Sequence, residues 1–238
     1  MNAPYELYYW PTIQGRGEFV RLALEEAGAA YIDVARRKQG MPAMLAMLDA
    51  SGHPSFAPPF LKAGDVTIGQ TANILLFLGA RHGLAPRSEA GRLWTHQLQL
   101  TIVDLVNEAH DTHHPVGTSL YYEDQKKEAK RRAADFTANR IPKFFDYFER
   151  VLHAPERRGG FLSGTRLSYV DLSMFQLIEG LRYAFPKAMA RIEPGYPGLV
   201  GLHDRMALRP NIAAYLASGR RIPFNQEGIF RHYPELDR

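Results

Sequence analysis

The strongest constraint on this fold is a change of pattern near residue 85. Before it, short apolar runs of strand character alternate with helical periodicity. From Glu89 onward no convincing strand remains, and apolar positions recur at helical spacing over 89–118, 122–153, 168–185 and 197–219. The stretch GLAPRSEAG (83–91) marks the shift in composition. A chain of 238 residues suits one large domain or two small ones. We therefore expect an α/β unit over 1–84 and an all-helical unit over 89–238.

Within the first unit, YELYYW (5–10) alternates, with Leu7 and Tyr9 on one face and Tyr8 and Trp10 on the other, as a half-buried strand requires. Phe19, Val20, Ala23, Leu24 and Ala27 then fall at helical spacing, and Gly28 is placed to end that helix. AAYIDVA (29–35) reads as a second strand, and 38–54 as a weak helix inside a loop-rich region. In PPFLKAGDVTIG (58–69) two apolar runs flank Gly64-Asp65, which predicts a hairpin. A helix over 70–81, stopping near Gly83, covers it. The order is βαβ, then ββα. In the helical part, Ser168 three residues ahead of Asp171 has the spacing of a capping box.

Composition narrows the chemistry. The chain has no cysteine, which excludes disulfides, thiolate metal sites and a cysteine nucleophile. Any sulfur that reacts here must arrive with a ligand. No run of about 18 apolar residues and no secretory leader is visible, so a cytoplasmic protein without a membrane span is expected. The net charge of +4 comes from 29 basic and 25 acidic residues, and the basic run in EDQKKEAKRRAAD (123–135) is interleaved with acids. That is a solvated helix face, and no nucleic-acid partner is expected.

Four segments together resemble the glutathione transferase superfamily over nearly the whole chain. QGRGEFVRLAL is similar to the GRxExxR opening of the first helix in sigma-like, tyrosine-dependent classes, through Gly15, Arg16, Glu18 and Arg21. PPFLKAGDVTIGQTANILLFL resembles the family's proline and Gln-Ser signature, with Pro59 at the proline and Gln70-Thr71 at the pair. TIVDLV resembles the segment that carries an acid, here Asp104, to a dimer interface, and FLSGTRLSYVDLSMF resembles the family's capping box. The resemblance implies a thioredoxin-like βαβ-ββα domain followed by an all-helical bundle, glutathione as co-substrate, a small hydrophobic electrophile, a homodimer and a bacterial source. Two departures stand out. One extra residue lies between Pro11 and Gly15 if Tyr9 is aligned with the family's tyrosine. Ala57-Pro58 replaces a lysine and an aliphatic residue before Pro59, so a carboxylate contact must come from Lys38, Arg36 or Arg37.

Glutathione is extended and doubly carboxylated, with one thiol. A free thiol has a pKa of about 8.5, and lowering it to about 7 takes roughly 2 kcal/mol of preferential anion stabilisation. A neutral tyrosine hydroxyl aimed at sulfur supplies most of that through one charge-assisted hydrogen bond. Tyr9 is the first candidate and Thr12, in the following turn, the second, with Arg16 and the helix it opens adding positive potential. Otherwise Tyr9 is a core aromatic and Arg16 a structural ion pair with Glu18 or Glu25. The resemblance implies that the residue before Pro59, Pro58, presents its carbonyl through a cis peptide, and that Asp104 meets the γ-glutamyl ammonium of the neighbouring site. Gln70 and Thr71 open a helix whose N–H groups suit a carboxylate, or Thr71 simply caps that helix.

EAHDTHHPVGTSLYY (108–122) gathers His110, His113 and His114. A closed metal site wants a further ligand and ordered outer partners, so no metal is expected, and the segment reads as the border of the electrophile pocket or as a polar loop. The function expected is a transferase that ionises the thiol for attack on electrophiles or peroxides. Two alternatives stand beside it: a non-catalytic binding module of the same fold, and a glutathione-dependent isomerase or dehalogenase.

Overall fold

The computed structural model of the chain describes residues 3–49, 53–154 and 159–237. It opens with strand β1 (Tyr5–Tyr8), helix α1 (Gly17–Glu26) and strand β2 (Tyr31–Asp33), then helix α2 (Gly40–Leu48), strands β3 (Phe60–Ala63) and β4 (Val66–Gly69), and helix α3 (Thr71–His82). The strands form one mixed sheet in the order β2-β1-β3-β4. β1 runs parallel to β2 and antiparallel to β3, and β3 and β4 make the expected hairpin across Gly64, at φ +64°. Residues 50–52 of the expected 38–54 segment lie outside the described residues.

The pleat divides the aromatic strand between two small cores. Leu7 and Leu61 join Phe19, Val20 and Ala23 of α1 and Ile74, Leu75 and Leu78 of α3 on one face. Tyr8 and Phe60 pack with Ala35 and Met44 on the α2 face, their rings stacked at 4.6 Å. α1 ends at Gly28 (φ +60°) and α3 at Gly83 (φ +68°), the left-handed terminations their glycines suit.

After α3 the regular elements among the described residues are helices joined by loops. α4 (Glu89–Asp111), α5 (Lys126–Asp135), α6 (Ile141–His153), α7 (Tyr169–Ala184), α8 (Pro186–Ile192), α9 (Pro197–Ala207) and α10 (Pro210–Leu216) follow in order. α7 is buried on nearly every side and forms the axis of this half. Its start holds the expected capping box: the Asp171 carboxylate accepts from the Ser168 N–H at 2.7 Å and from the Leu162 N–H at 2.8 Å.

Prolines correct three of the expected helix lengths. The 89–118 pattern stops at Asp111 because His114 precedes Pro115, a position that disfavours helix, and Thr112 Oγ1 bonds back to the Ala109 carbonyl at 2.7 Å. The 122–153 pattern is broken by a wide turn of π type at Phe136–Arg140, just before Pro142, which has no N–H to continue the ladder. The 197–219 pattern divides at Arg209, extended at ψ 133° ahead of Pro210. Beyond α10 the segment 220–237 runs back over both halves.

Candidate active site

The turn between β1 and α1 is built around Tyr9. Its ring is buried at 4 % exposure, and its hydroxyl oxygen accepts the Arg16 backbone N–H at 2.8 Å. Gly15 and Gly17 make this possible. A Cβ on Gly15 would sit 2.0 Å from the Tyr9 hydroxyl oxygen, and one on Gly17 2.5 Å from its ring carbons. Gly15 also has φ +43°, so both space and backbone require glycine there. Burial pushes the Tyr9 phenol above its ordinary pKa, opposed by the Arg16 N–H and the charges of Arg16 and Arg21. The hydroxyl therefore keeps its proton at neutral pH. With a lone pair occupied by the amide, its hydrogen is directed elsewhere as a donor.

Next to this turn, the start of α3 meets α1. Thr71 Oγ1 donates to the Arg16 carbonyl at 3.4 Å, and Gln70 ahead of it holds φ +68°, a strained conformation for a residue with a side chain. Arg16, Gln70 and Thr71 line one cavity of about 270 Å³, walled on the α4 side by His96, Gln99 and Val103. Two buried atoms of that wall, His96 Nδ1 and Gln99 Oε1, have no hydrogen-bond partner within the protein. Burial lowers the His96 pKa, so its ring is neutral. The cavity thus pairs a helix N-terminus and a guanidinium, which suit an anionic group, with unsatisfied polar atoms on the α4 wall. The Arg16 guanidinium donates to Asn107 Oδ1 at 2.6 Å, which corrects the expected ion pair with Glu18 or Glu25.

The family described as glutathione S-transferase, C-terminal domain, matches residues 110–219. Glutathione S-transferase P 1 of Xenopus laevis is 26% identical over 220 residues, 91% of this chain and 93% of that one. Glutathione S-transferase P 10 of Caenorhabditis elegans is 28% identical over 89% of this chain and 90% of its own length. Over about nine-tenths of its length the chain is thus similar to glutathione S-transferases. Its fold is also that of the solved prostaglandin synthase D of Nilaparvata lugens, with a TM-score of 0.73 at 20% identity, covering 93% of this chain and 100% of that one.

The expected site residues separate into two groups. Tyr9, Arg16, Gln70 and Thr71 come together at the α1–α3 junction. The Pro58-Pro59 peptide is cis, immediately before β3. Thr12 faces the other way: it is exposed, its hydroxyl donates to Glu227 at 3.3 Å, and its carbonyl accepts from Asn225 at 2.8 Å. Tyr8 donates to Glu6 at 2.6 Å, which commits its hydroxyl. Lys38 and Asp104 are exposed, and among the described residues neither has a hydrogen bond to the junction. Arg36 donates to the Arg220 carbonyl at 2.5 Å, on the 220–237 segment.

Sequence reading missed the buried charged layer beneath the site. Glu18, fully buried, accepts from Arg21 at 3.2 Å, Tyr215 at 2.9 Å and Arg221 at 2.8 Å. Arg21 also donates to Asp33 at 2.7 Å, and Gln14 binds the Ile222 carbonyl and Gln176. Glu18 and Arg21 stand three apart in a helix, a spacing that hints at the first pair. Nothing local points to residues 215 and 221.

Proposed function

We propose that this glutathione transferase ionises the thiol of glutathione and directs the thiolate at small hydrophobic electrophiles or organic peroxides, with Tyr9 as the donor to sulfur. The carrying observation is the Arg16 N–H to Tyr9 hydroxyl bond of 2.8 Å. It holds a protonated phenol at the opening of α1, where the helix dipole and the Arg16 charge favour an anion. On this reading the first-turn N–H groups of α3, with Gln70 and Thr71, receive the γ-glutamyl carboxylate, and the Pro58 carbonyl beside Pro59 pairs with the cysteinyl amide. Lys38 takes the remaining carboxylate. Thr12 is the second choice of hydroxyl, disfavoured by its bond to Glu227.

The same reading places the chain in a homodimer, in the tyrosine-type, sigma-like branch and from a bacterial source, with a division between units at residues 84–89. The support for the dimer is on α4, where Leu93 and Leu100 are 64% and 47% exposed and share a helix face with Asp104. Among the described residues no helix is long and apolar enough to cross a membrane.

The test is an ultraviolet titration of bound glutathione thiolate in wild type, Tyr9→Phe and Thr12→Ala. A thiol pKa near 7 in wild type, returned towards about 8.5 only in Tyr9→Phe, is the expected result. Loss only in Thr12→Ala moves the catalytic hydroxyl into the turn. Binding with a protonated thiol in every form favours the non-catalytic module instead, and turnover without net loss of glutathione favours an isomerase or dehalogenase.

A further inference from the structure

At the end of α4 three imidazoles converge. His110, His113 and His114 each offer a ring nitrogen, and these atoms lie within 4.8 Å of one another. The rings touch, with centroids 4.7–5.1 Å apart. His113 is 1% exposed, and its Nε2 donates to the Ile229 carbonyl at 2.8 Å, which fixes the tautomer and leaves Nδ1 bare. That bare Nδ1 faces His114 Nδ1 at 2.7 Å. Two ring nitrogens so close must share a proton or, once that proton leaves, a cation.

We propose that His110, His113 and His114 form a three-nitrogen site for a borderline divalent transition ion, zinc being the apt case, with the fourth position held by an anion. Neutral imidazole is the donor such ions favour over calcium or magnesium, which prefer oxygen. The outer partners also fit. Imidazole ligands are commonly oriented by a carbonyl or carboxylate on the second nitrogen. Here Ile229 serves His113, and Asp111 Oδ1 lies 3.5 Å from His110 Nδ1.

The surrounding charge decides the fourth ligand. Arg16 bears on His110, and Arg231 on His113 and His114, so a bare dication is opposed. Hydroxide in the fourth position offsets that repulsion. A site of this composition holds an activated oxygen nucleophile or a structural ion. In either case it braces the 220–237 segment, because the Ile229 carbonyl is bonded to one of the ligands.

The experiment is a cobalt(II) titration of the chelator-stripped full-length protein, followed by visible d–d absorption and then by zinc competition. One equivalent giving intense bands of a four- or five-coordinate ion, displaced by zinc, is expected. His110→Gln and His114→Gln, both at half-exposed positions, are expected to weaken binding at least ~10-fold each. Exposed His153→Gln serves as the control and leaves binding unchanged. Circular dichroism checks that the variants fold, and zinc should raise the melting temperature of wild type but not of the two variants. No absorption in wild type, pale octahedral bands alone, or bands that survive both substitutions would overturn the site.

Discussion

At the scale of single residues, the site depends on atoms that are missing as much as on those present. Gly15→Ala introduces a Cβ 2.0 Å from the Tyr9 hydroxyl at a backbone φ of +43°. Destabilisation of roughly 1–3 kcal/mol is expected, read from urea unfolding, together with loss of the bound thiol's ionisation. An unaltered thiolate titration in that variant would mean that the Tyr9 position is not what ionises the thiol. His113 carries a pH effect with a definite sign. Burial holds its folded pKa down at about 3, whereas the unfolded chain takes up the proton near 6.5. The unfolded state therefore binds more protons between these values, and stability falls on acidification through that window by up to about 1.4 kcal/mol per pH unit. Asp171 acts oppositely, since burial raises its carboxyl to about 6 in the fold. Comparing metal-free wild type with His113→Gln isolates the histidine: the variant should show the shallower loss of stability between pH 6.5 and 4.

At the scale of elements, the start of α7 has the largest local consequence. Asp171 accepts N–H groups from both Ser168 and Leu162, so it caps its own helix and anchors the preceding loop. Asp171→Ala leaves two buried backbone donors and the Ser168 hydroxyl without this acceptor, at roughly 1–3 kcal/mol for each buried donor, and should cost about 3 kcal/mol or more. Ser168→Ala removes one hydroxyl, which donates to the Asp171 carboxylate at 2.8 Å, but keeps both backbone bonds to that carboxylate, and should cost about 1 kcal/mol. Chemical denaturation of both variants checks the order. Equal losses would show that the Leu162 bond contributes nothing. The capping box was visible from Ser168 and Asp171 alone because capping is local, whereas the bond to Leu162 was not, since a loop conformation brings that N–H across.

At the scale of the whole molecule, the two halves are tied through charge buried under the site. Glu18 on α1 takes Arg21 from its own helix, and Tyr215 and Arg221 from nearly 200 residues further along. Glu18→Ala leaves Arg21 and Arg221 facing a low-dielectric layer without their common acceptor, and a loss of about 3–5 kcal/mol is expected. Thermal unfolding should then show α1 and the 220–237 segment loosening together, with the Tyr9 site lost at a lower temperature. A loss below about 1 kcal/mol would show that Asp33 and water replace Glu18. The sequence by itself determined the elements whose causes are local. These are the βαβ-ββα order, from periods of two and 3.6 residues; the glycine ends of α1 and α3; the hairpin at Gly64; and the closeness of Tyr9 to Arg16, which sit on one short segment. Helix lengths were overread because apolar periodicity continues through Pro115, Pro142 and Pro210, where the backbone does not. Only the tertiary structure decided which hydroxyl is free, since Thr12 is taken by Glu227 and Tyr8 by Glu6. It also decided that Glu18 meets Arg221 and that His113 is fixed by Ile229, because hydrogen bonds between distant segments leave no periodic trace in the chain.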